Sequence, residues 1–289
     1  VRAPATTKLL FIAPAVLALA GTALFPFFFS IYMSLFNYNL FLPIKVSFQG
    51  IKNFKEIFHD TRALNSFKIT ATFVALAVLS ESLLGLLLGY LIMGSFGNSP
   101  IITVLLLFPV MIPQATTGLL WRLIYQPLFG IANFFLSCVG LSPLAWLSHP
   151  KTALMSIVIA DVWQWTPFMI LIAIAGLSVI PTEIFEAASI DGASGCRRFI
   201  YIACPLVWPI YSIGIAFRVI DCLRTFNLIF IMTKGGPGIS TETVDIYAYL
   251  EGIAQGGRIS YACALSLILL ALTVIFVTLI LRKIRVGEG

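Results

Sequence analysis

Charge is scarce in this chain: Asp, Glu, Lys and Arg together make up 10% of its 289 residues, against 60% hydrophobic. That balance belongs to an integral membrane protein rather than a soluble domain, and nucleic acid is not among the expected partners. Histidine is nearly missing. His59 and His149 stand apart from each other and from any carboxylate cluster, so zinc is not expected. The five cysteines (138, 196, 204, 222 and 263) form no CxxC pair and keep no regular spacing, which points to neither a disulfide framework nor a metal site. No GxxxxGK[ST] pattern occurs. The chain therefore lacks the usual phosphate cradle, is expected to bind no cofactor itself, and must leave any ATP hydrolysis to another subunit. The apolar–polar alternation of a membrane β-barrel is absent from runs such as LLGLLLGYLIM, leaving an all-α bundle.

Long apolar runs are what the chain does have. A hydrocarbon core about 30 Å thick takes roughly 20 apolar residues per helix. Six segments qualify, at about 9–35, 67–93, 100–122, 152–177, 206–232 and 260–281. They read as one transmembrane domain over residues 1–289, with six spans placing both termini on one side. Lys8, an apolar run and Ala18-Leu19-Ala20 imitate a signal peptide, but the run continues through Phe25, Pro26, Phe27, Phe28 and Phe29, which favours an uncleaved span. The loops between spans are too short for an extra soluble domain.

Lysine and arginine counts do not orient this bundle. Arg2, Lys8, Arg197, Arg198, Arg282, Lys283 and Arg285 lie on the side of the termini. Lys45, Lys52, Lys55, Arg62, Lys68, Lys151, Lys234 and Arg258 lie on the other. The loop at 181–205, PTEIFEAASIDGASGCRRFIYIACP, has to decide. It reads as helix, turn, helix. Thr182 is placed to cap the first helix, Glu183 and Glu186 suit its first turn, Gly192 stops it, and Ser194 caps a second helix running toward Pro205. Ala187, Ala188 and Ala193 allow another protein's backbone to come close. Physics alone also permits an ordinary amphipathic helix on the membrane surface.

EAASIDGASGCRRFIYIACP resembles the EAA signature of permease subunits in type I ATP-binding-cassette importers: EAA, three residues, G, nine residues, then I-x-L-P. Glu186, Ala187, Ala188, Gly192, Ile202 and Pro205 take the matching positions, while Cys204 replaces the usual leucine. The likeness extends over most of the chain and is nearest to the carbohydrate-uptake branch, the maltose and glycerol-phosphate type. FQGIKNF, DVWQWTPFM, FRVIDCLRTFNLIFIMTKGGPG and TETVDIYAYLEGI carry it, and the tail LRKIRVGEG looks like the first of that branch's two permeases. The resemblance implies a multi-pass protein of a bacterial or archaeal cytoplasmic membrane with cytoplasmic termini. It also implies a second homologous permease, two ATPase subunits that use ATP and Mg, and an extracytoplasmic solute-binding protein, all set in membrane lipid. Residues 181–205 become the coupling loop, with Glu186, Ala187, Ala188 and Gly192 seated against an ATPase subunit.

Ionisable residues within spans are functional candidates, and Glu81, Asp161, Arg218, Asp221 and Arg224 all fall there. Arg218, Asp221, Cys222 and Thr225 follow i, i+3, i+4, i+7 spacing and share one helix face. A structural reading has Asp221 bridging Arg218 and Arg224. The resemblance implies a substrate pathway instead, formed by Gln164, Trp165 and Phe168 with Arg218, Asp221, Cys222 and Thr225. Lysines on the outer side, with Arg218 and Arg224, bring an acidic oligosaccharide such as a uronate chain into view beside a neutral sugar. An ion-coupled secondary transporter is the rival, although the chain shows no convincing inverted repeat. A membrane-embedded enzyme would need a catalytic set, and Glu81 and Asp161 have no obvious partner in the sequence.

Overall fold

The computed structural model describes residues 5–42, 45–97 and 99–286. Arg2 and the last three residues of the tail lie outside them, as do the side chains of Lys8, Lys283 and Arg285. Among the described residues, five helices are long and apolar enough to cross a membrane, and a sixth span results if one bent pair is counted as a single crossing. The helices are α1 (Phe11–Ser34), α2 (Lys52–Ile57), α3 (Thr61–Phe96), α4 (Pro100–Met111), α5 (Gln114–Ile124), α6 (Ile131–Cys138), α7 (Pro150–Leu177), α8 (Thr182–Ile190), α9 (Gly195–Leu223), α10 (Asn227–Thr233), α11 (Val244–Tyr249) and α12 (Ile259–Val286). The only strands among the described residues are two-residue pieces, Phe36–Asn37 paired antiparallel with Ser47–Phe48.

The bent pair is α4 and α5, which meet at 87°. Pro113 causes the break: it forces Ile112 into an extended conformation (φ −75°, ψ 127°), as a residue preceding proline prefers. The span expected over 206–232 also differs from its reading. Helix α9 starts at Gly195, inside the expected loop, and ends at Leu223; Arg224 closes it and a separate short helix, α10, follows. The second helix of the loop therefore does not stop at Pro205 but continues into the membrane. A π-helical stretch at Phe199–Ala203 precedes Pro205, a widening of the turn that lets the backbone continue past a ring unable to donate a hydrogen bond.

The chain divides into two compact units. One holds the residues up to Leu64 together with Tyr247–Ala271. Its polar centre is Asp60. One carboxylate oxygen accepts the backbone N–H groups of Arg62 (2.8 Å) and Ala63 (3.2 Å), capping α3, and the other accepts the hydroxyls of Tyr247 (2.5 Å) and Tyr261 (2.6 Å). Nearby, Arg258 pairs with Glu56 and lies over the Tyr261 ring.

The other unit holds Asn65–Ile246 and the residues from Leu272 on. Its core is Met169, Ala173 and Leu177 from α7 against Ala203, Val207 and Tyr211. Helix α3 joins them through Gly85 and Gly89. A Cβ on Gly85 would fall 2.4 Å from Met169 Cβ, and one on Gly89 would fall 2.6 Å from Ala173 Cβ. This is the small-xxx-small device by which membrane helices bring their backbones together.

Candidate coupling and transport sites

Helix α8 is a short, mostly exposed helix. Glu186 and Ala187 are exposed and Ala188 is half-buried, with Ile190 88% exposed beside them. Its start differs from expectation: Pro181 occupies the N-cap and Thr182 is the first helical residue, with no side-chain cap bond. A fixed proline φ needs no hydroxyl to begin a helix. Its end matches. Gly192 takes φ +73°, and the Ala193 and Gly192 amides donate to the carbonyls of Ala188 (2.9 Å) and Ser189 (3.1 Å), a Schellman closure that a glycine makes without steric cost. Ser194 Oγ accepts from the Arg197 amide at the start of α9, and Arg198 reaches back to Ser189 Oγ at 2.8 Å. A groove of about 510 Å³ beside α8 is lined by residues including Tyr90, Leu177, Phe185 and Arg198.

The second site lies in the interior of the same unit. Arg218 of α9 is completely buried. Its Nε and Nη2 donate to both oxygens of Glu81 on α3 (2.7 and 2.9 Å), and Nη2 also donates to Asp161 Oδ2 on α7 (2.8 Å). Nη1 donates to Asp221 Oδ2 one turn along its own helix (2.5 Å). The Cys222 thiol lies 3.1 Å from Nη2 and 3.7 Å from Asp161, and the Trp165 ring lies across the guanidinium at 4.4 Å. Asp221 thus does not bridge Arg218 and Arg224. Arg218 is the hub, and Glu81 and Asp161 are its main partners. Glu81, Asp161 and Cys222 bring donor atoms within 4.8 Å of one another. Three of the four oxygens in the two carboxylates already accept from Arg218, so the guanidinium fills the space a metal ion would take.

The expected pathway residues fall around this hub. Arg218, Cys222, Gln164 and Thr225 present almost no surface, whereas the Asp221 carboxylate is 31% exposed and Trp165 and Phe168 are half-buried. Gln164 Nε2 donates to the Ile112 carbonyl at 2.6 Å, one of the backbone groups at the break between α4 and α5, and so relieves an unpaired carbonyl at membrane depth. Thr225 Oγ1 donates to the Asp221 carbonyl at 3.1 Å. Trp165 stands edge-on to Phe168 (6.1 Å between centroids), which in turn meets Phe217 (5.5 Å). Sequence reasoning missed the link from Glu81 to Arg218 because 137 residues separate them. The signal that would have found the helix pairing is Gly85-xxx-Gly89, one turn from Glu81 on the same helix.

An exposed helix, α8, is thus carried between two helices long and apolar enough to cross a membrane. Residues 7–286 match the model of the family described as binding-protein-dependent transport system inner membrane component, and the chain belongs to that family. It is accordingly a multi-pass protein of the cell membrane, a permease rather than an enzyme, which sets aside the ion-coupled carrier. Among its relatives is the trehalose/maltose transport system permease protein MalF of Thermococcus litoralis, 36% identical over 72% of this chain and 70% of that one. Another is the sulfoquinovosyl glycerol transport system permease protein SmoG of Agrobacterium fabrum, 30% identical over 96% and 90%. The fold is shared with a chain of a bacterial alginate transporter crystallised with an alginate-bound periplasmic protein, at TM-score 0.80 and 19% identity, over 95% and 92% of the two chains.

Proposed function

We propose that this chain forms half of the translocation pathway of a saccharide importer. It pairs with a second homologous permease, receives solute from an extracytoplasmic binding protein, and is driven by two ATPase subunits that bind ATP and Mg. The observation that carries this reading is α8, closed by Gly192 at positive φ and presenting Glu186, Ala187 and Ala188 on a chain of this family. Its small residues let a partner surface approach the helix backbone, and Glu186 offers a carboxylate to a cation there. On this reading residues 181–194 and both termini are cytoplasmic. The solute passes Trp165 and Phe168, whose faces suit a sugar ring, and the exposed edge of Asp221. Gln164, Arg218, Cys222 and Thr225 hold that wall from behind.

The saccharide class follows the relatives, which are named for trehalose and maltose and for a sulfonated glycoside. Arg218 has no free charge to offer an acidic sugar, because three carboxylates already surround it. Uptake of trehalose, maltose and a uronate oligomer by proteoliposomes containing the assembled importer tests the reading directly. ATP-dependent accumulation of one of them is expected. A preparation without co-purifying ATPase, or a Gly192→Asp variant that transports like wild type, would overturn the coupling assignment.

A further inference from the structure

Helices α7 and α9 are the two arms that carry residues 178–194 between them, and they are joined at two heights. Near the loop they touch where Gly176 makes room for Val207; a Cβ on Gly176 would come within 2.8 Å of Val207 Cγ1. Fifteen residues back along α7, about 22 Å at 1.5 Å per residue, Asp161 meets Arg218 of α9. Helix α3 is bound into the same frame by Glu81, by Gly85 against Met169, and by the Tyr211 hydroxyl, which donates to the Ser82 carbonyl at 2.7 Å. Between the loop and the Arg218 level lie the points at which these helices yield most easily: the π stretch Phe199–Ala203, Pro205 and Pro209 in α9, and Pro167 in α7. Such places are where helices kink.

We propose that Arg218, through Asp161 and Glu81, is a positioning residue for coupling: it binds α3, α7 and α9 into one lever, so that a push on α8 tilts all three instead of being absorbed by bending at those prolines. The clamp sits on the far side of the weak points from the loop. A clamp there closes the frame, whereas an ion pair beside the loop would leave the rest of each arm free to flex. The geometry also needs arginine. One guanidinium reaches Glu81 with two N–H groups and Asp161 with a third bond, and a lysine ammonium is a point charge that reproduces only part of that fork. This inference rests on α8 being the place where an ATPase subunit acts.

The test is a distance between spin labels at Ile190, on α8, and at Lys151, at the far end of α7, in the assembled importer with its partner subunits, before and after Mg-ATP. A rigid lever keeps that distance narrow and unchanged by nucleotide in the otherwise wild-type protein. In Arg218→Lys and in Asp161→Asn it should start narrow and then move by roughly 2 Å or more on adding Mg-ATP, the scale of helix shifts in switching proteins. Either a distance that stays put in both variants, or one that already moves without them, overturns the proposal. So does a variant as broad before nucleotide as after it, because that marks Arg218 as merely structural. Failure of the ATPase subunits to assemble with the unsubstituted chain would count against the functional reading itself and leave the clamp geometry standing.

Discussion

The coupling loop and the Arg218 cluster belong to the same pair of helices and are built on opposite principles. At the loop, α8 has few internal contacts: Phe185 packs against the core and Ser189 meets Arg198, but Glu186, Ala187 and Ile190 stay exposed, and its shape comes from Pro181 at one end and Gly192 at the other. At the cluster, four ionisable side chains from three helices hold one another, and the hub has no surface at all. A surface meant to meet another protein must leave most of its side chains without internal partners, while a point meant to carry load must use its bonding within the fold. Substitutions at the cluster should therefore lower stability as well as coupling, and substitutions at the loop should act on coupling with little effect on stability.

The contrast breaks most readily at Arg218. Arg218→Ala leaves Glu81 and Asp161 buried without their counter-ion, and removing one partner from a buried ion set costs about 3–5 kcal/mol. Thermal unfolding of the detergent-purified protein should show a large loss, accompanied by poor recovery from membranes. An Arg218→Ala protein as stable as wild type would mean the cluster carries no load.

Next in size is the packing of α3. Gly85→Ala puts a methyl 2.4 Å from Met169 Cβ and 2.8 Å from the Tyr211 hydroxyl, so α3 must move off α7, an overpacking worth typically 1–3 kcal/mol. The same unfolding experiment reads it. The effect should be smaller than that of Arg218→Ala because helices can slide by tenths of an ångström, while a buried charge cannot be moved to water. Equal losses would show that the helix contact, rather than the ion set, is what holds the three arms.

How much of this was legible in the sequence follows the same division. The spans and the EAA loop could be read because their signals are local: unbroken apolar runs, and a motif whose six matched residues lie within twenty positions. Pro113, which breaks the third crossing, is a local signal of the same kind. The start of α9 at Gly195 was legible from its Ser194 cap, but its continuation past Pro205 was not, because Pro205 reads as a boundary and only the π stretch before it lets the helix run on. Asp221 was the nearest acid to Arg218 in sequence and took the role that Glu81 and Asp161 hold in space. Resemblance places Gln164 in the pathway, and nothing local reveals that its Nε2 donates to Ile112, 52 residues away. Exposed sites are coded by neighbouring residues and buried ones by pairs, and a single sequence shows neighbours far better than pairs.

A smaller effect tests the loop from its own side. Gly192→Ala forces a Cβ into the left-handed region, a strain of roughly 1–2 kcal/mol per residue, with nothing within 4 Å to clash. Global unfolding should shift little, because the last turn of α8 lies beyond Phe185, its contact with the core, whereas the ATPase activity of the assembled importer should lose its response to the binding protein. A large drop in stability with coupling intact would reverse the assignment of roles.

The smallest effect sharpens the comparison by moving to a polar knot outside the spans. Burial opposes the charge on Asp60, but the hydroxyls of Tyr247 and Tyr261 and the amides of Ala63 and Arg62 outweigh it and hold the carboxyl below its usual value of 3.8. A carboxylate whose folded pKa is depressed adds stability that is fully present above the unfolded pKa and is lost as pH falls through the folded one. The wild-type protein should therefore lose stability below a pH of about 4, and Asp60→Asn, already without that charge, should lose less across the same window. Because Asp60 is only partly buried and the groups that lower its pKa are hydroxyls and backbone amides, the difference should be well below the loss at Arg218. Identical acid limbs in the two proteins would show that Asp60 caps α3 without holding any pH-dependent stability there.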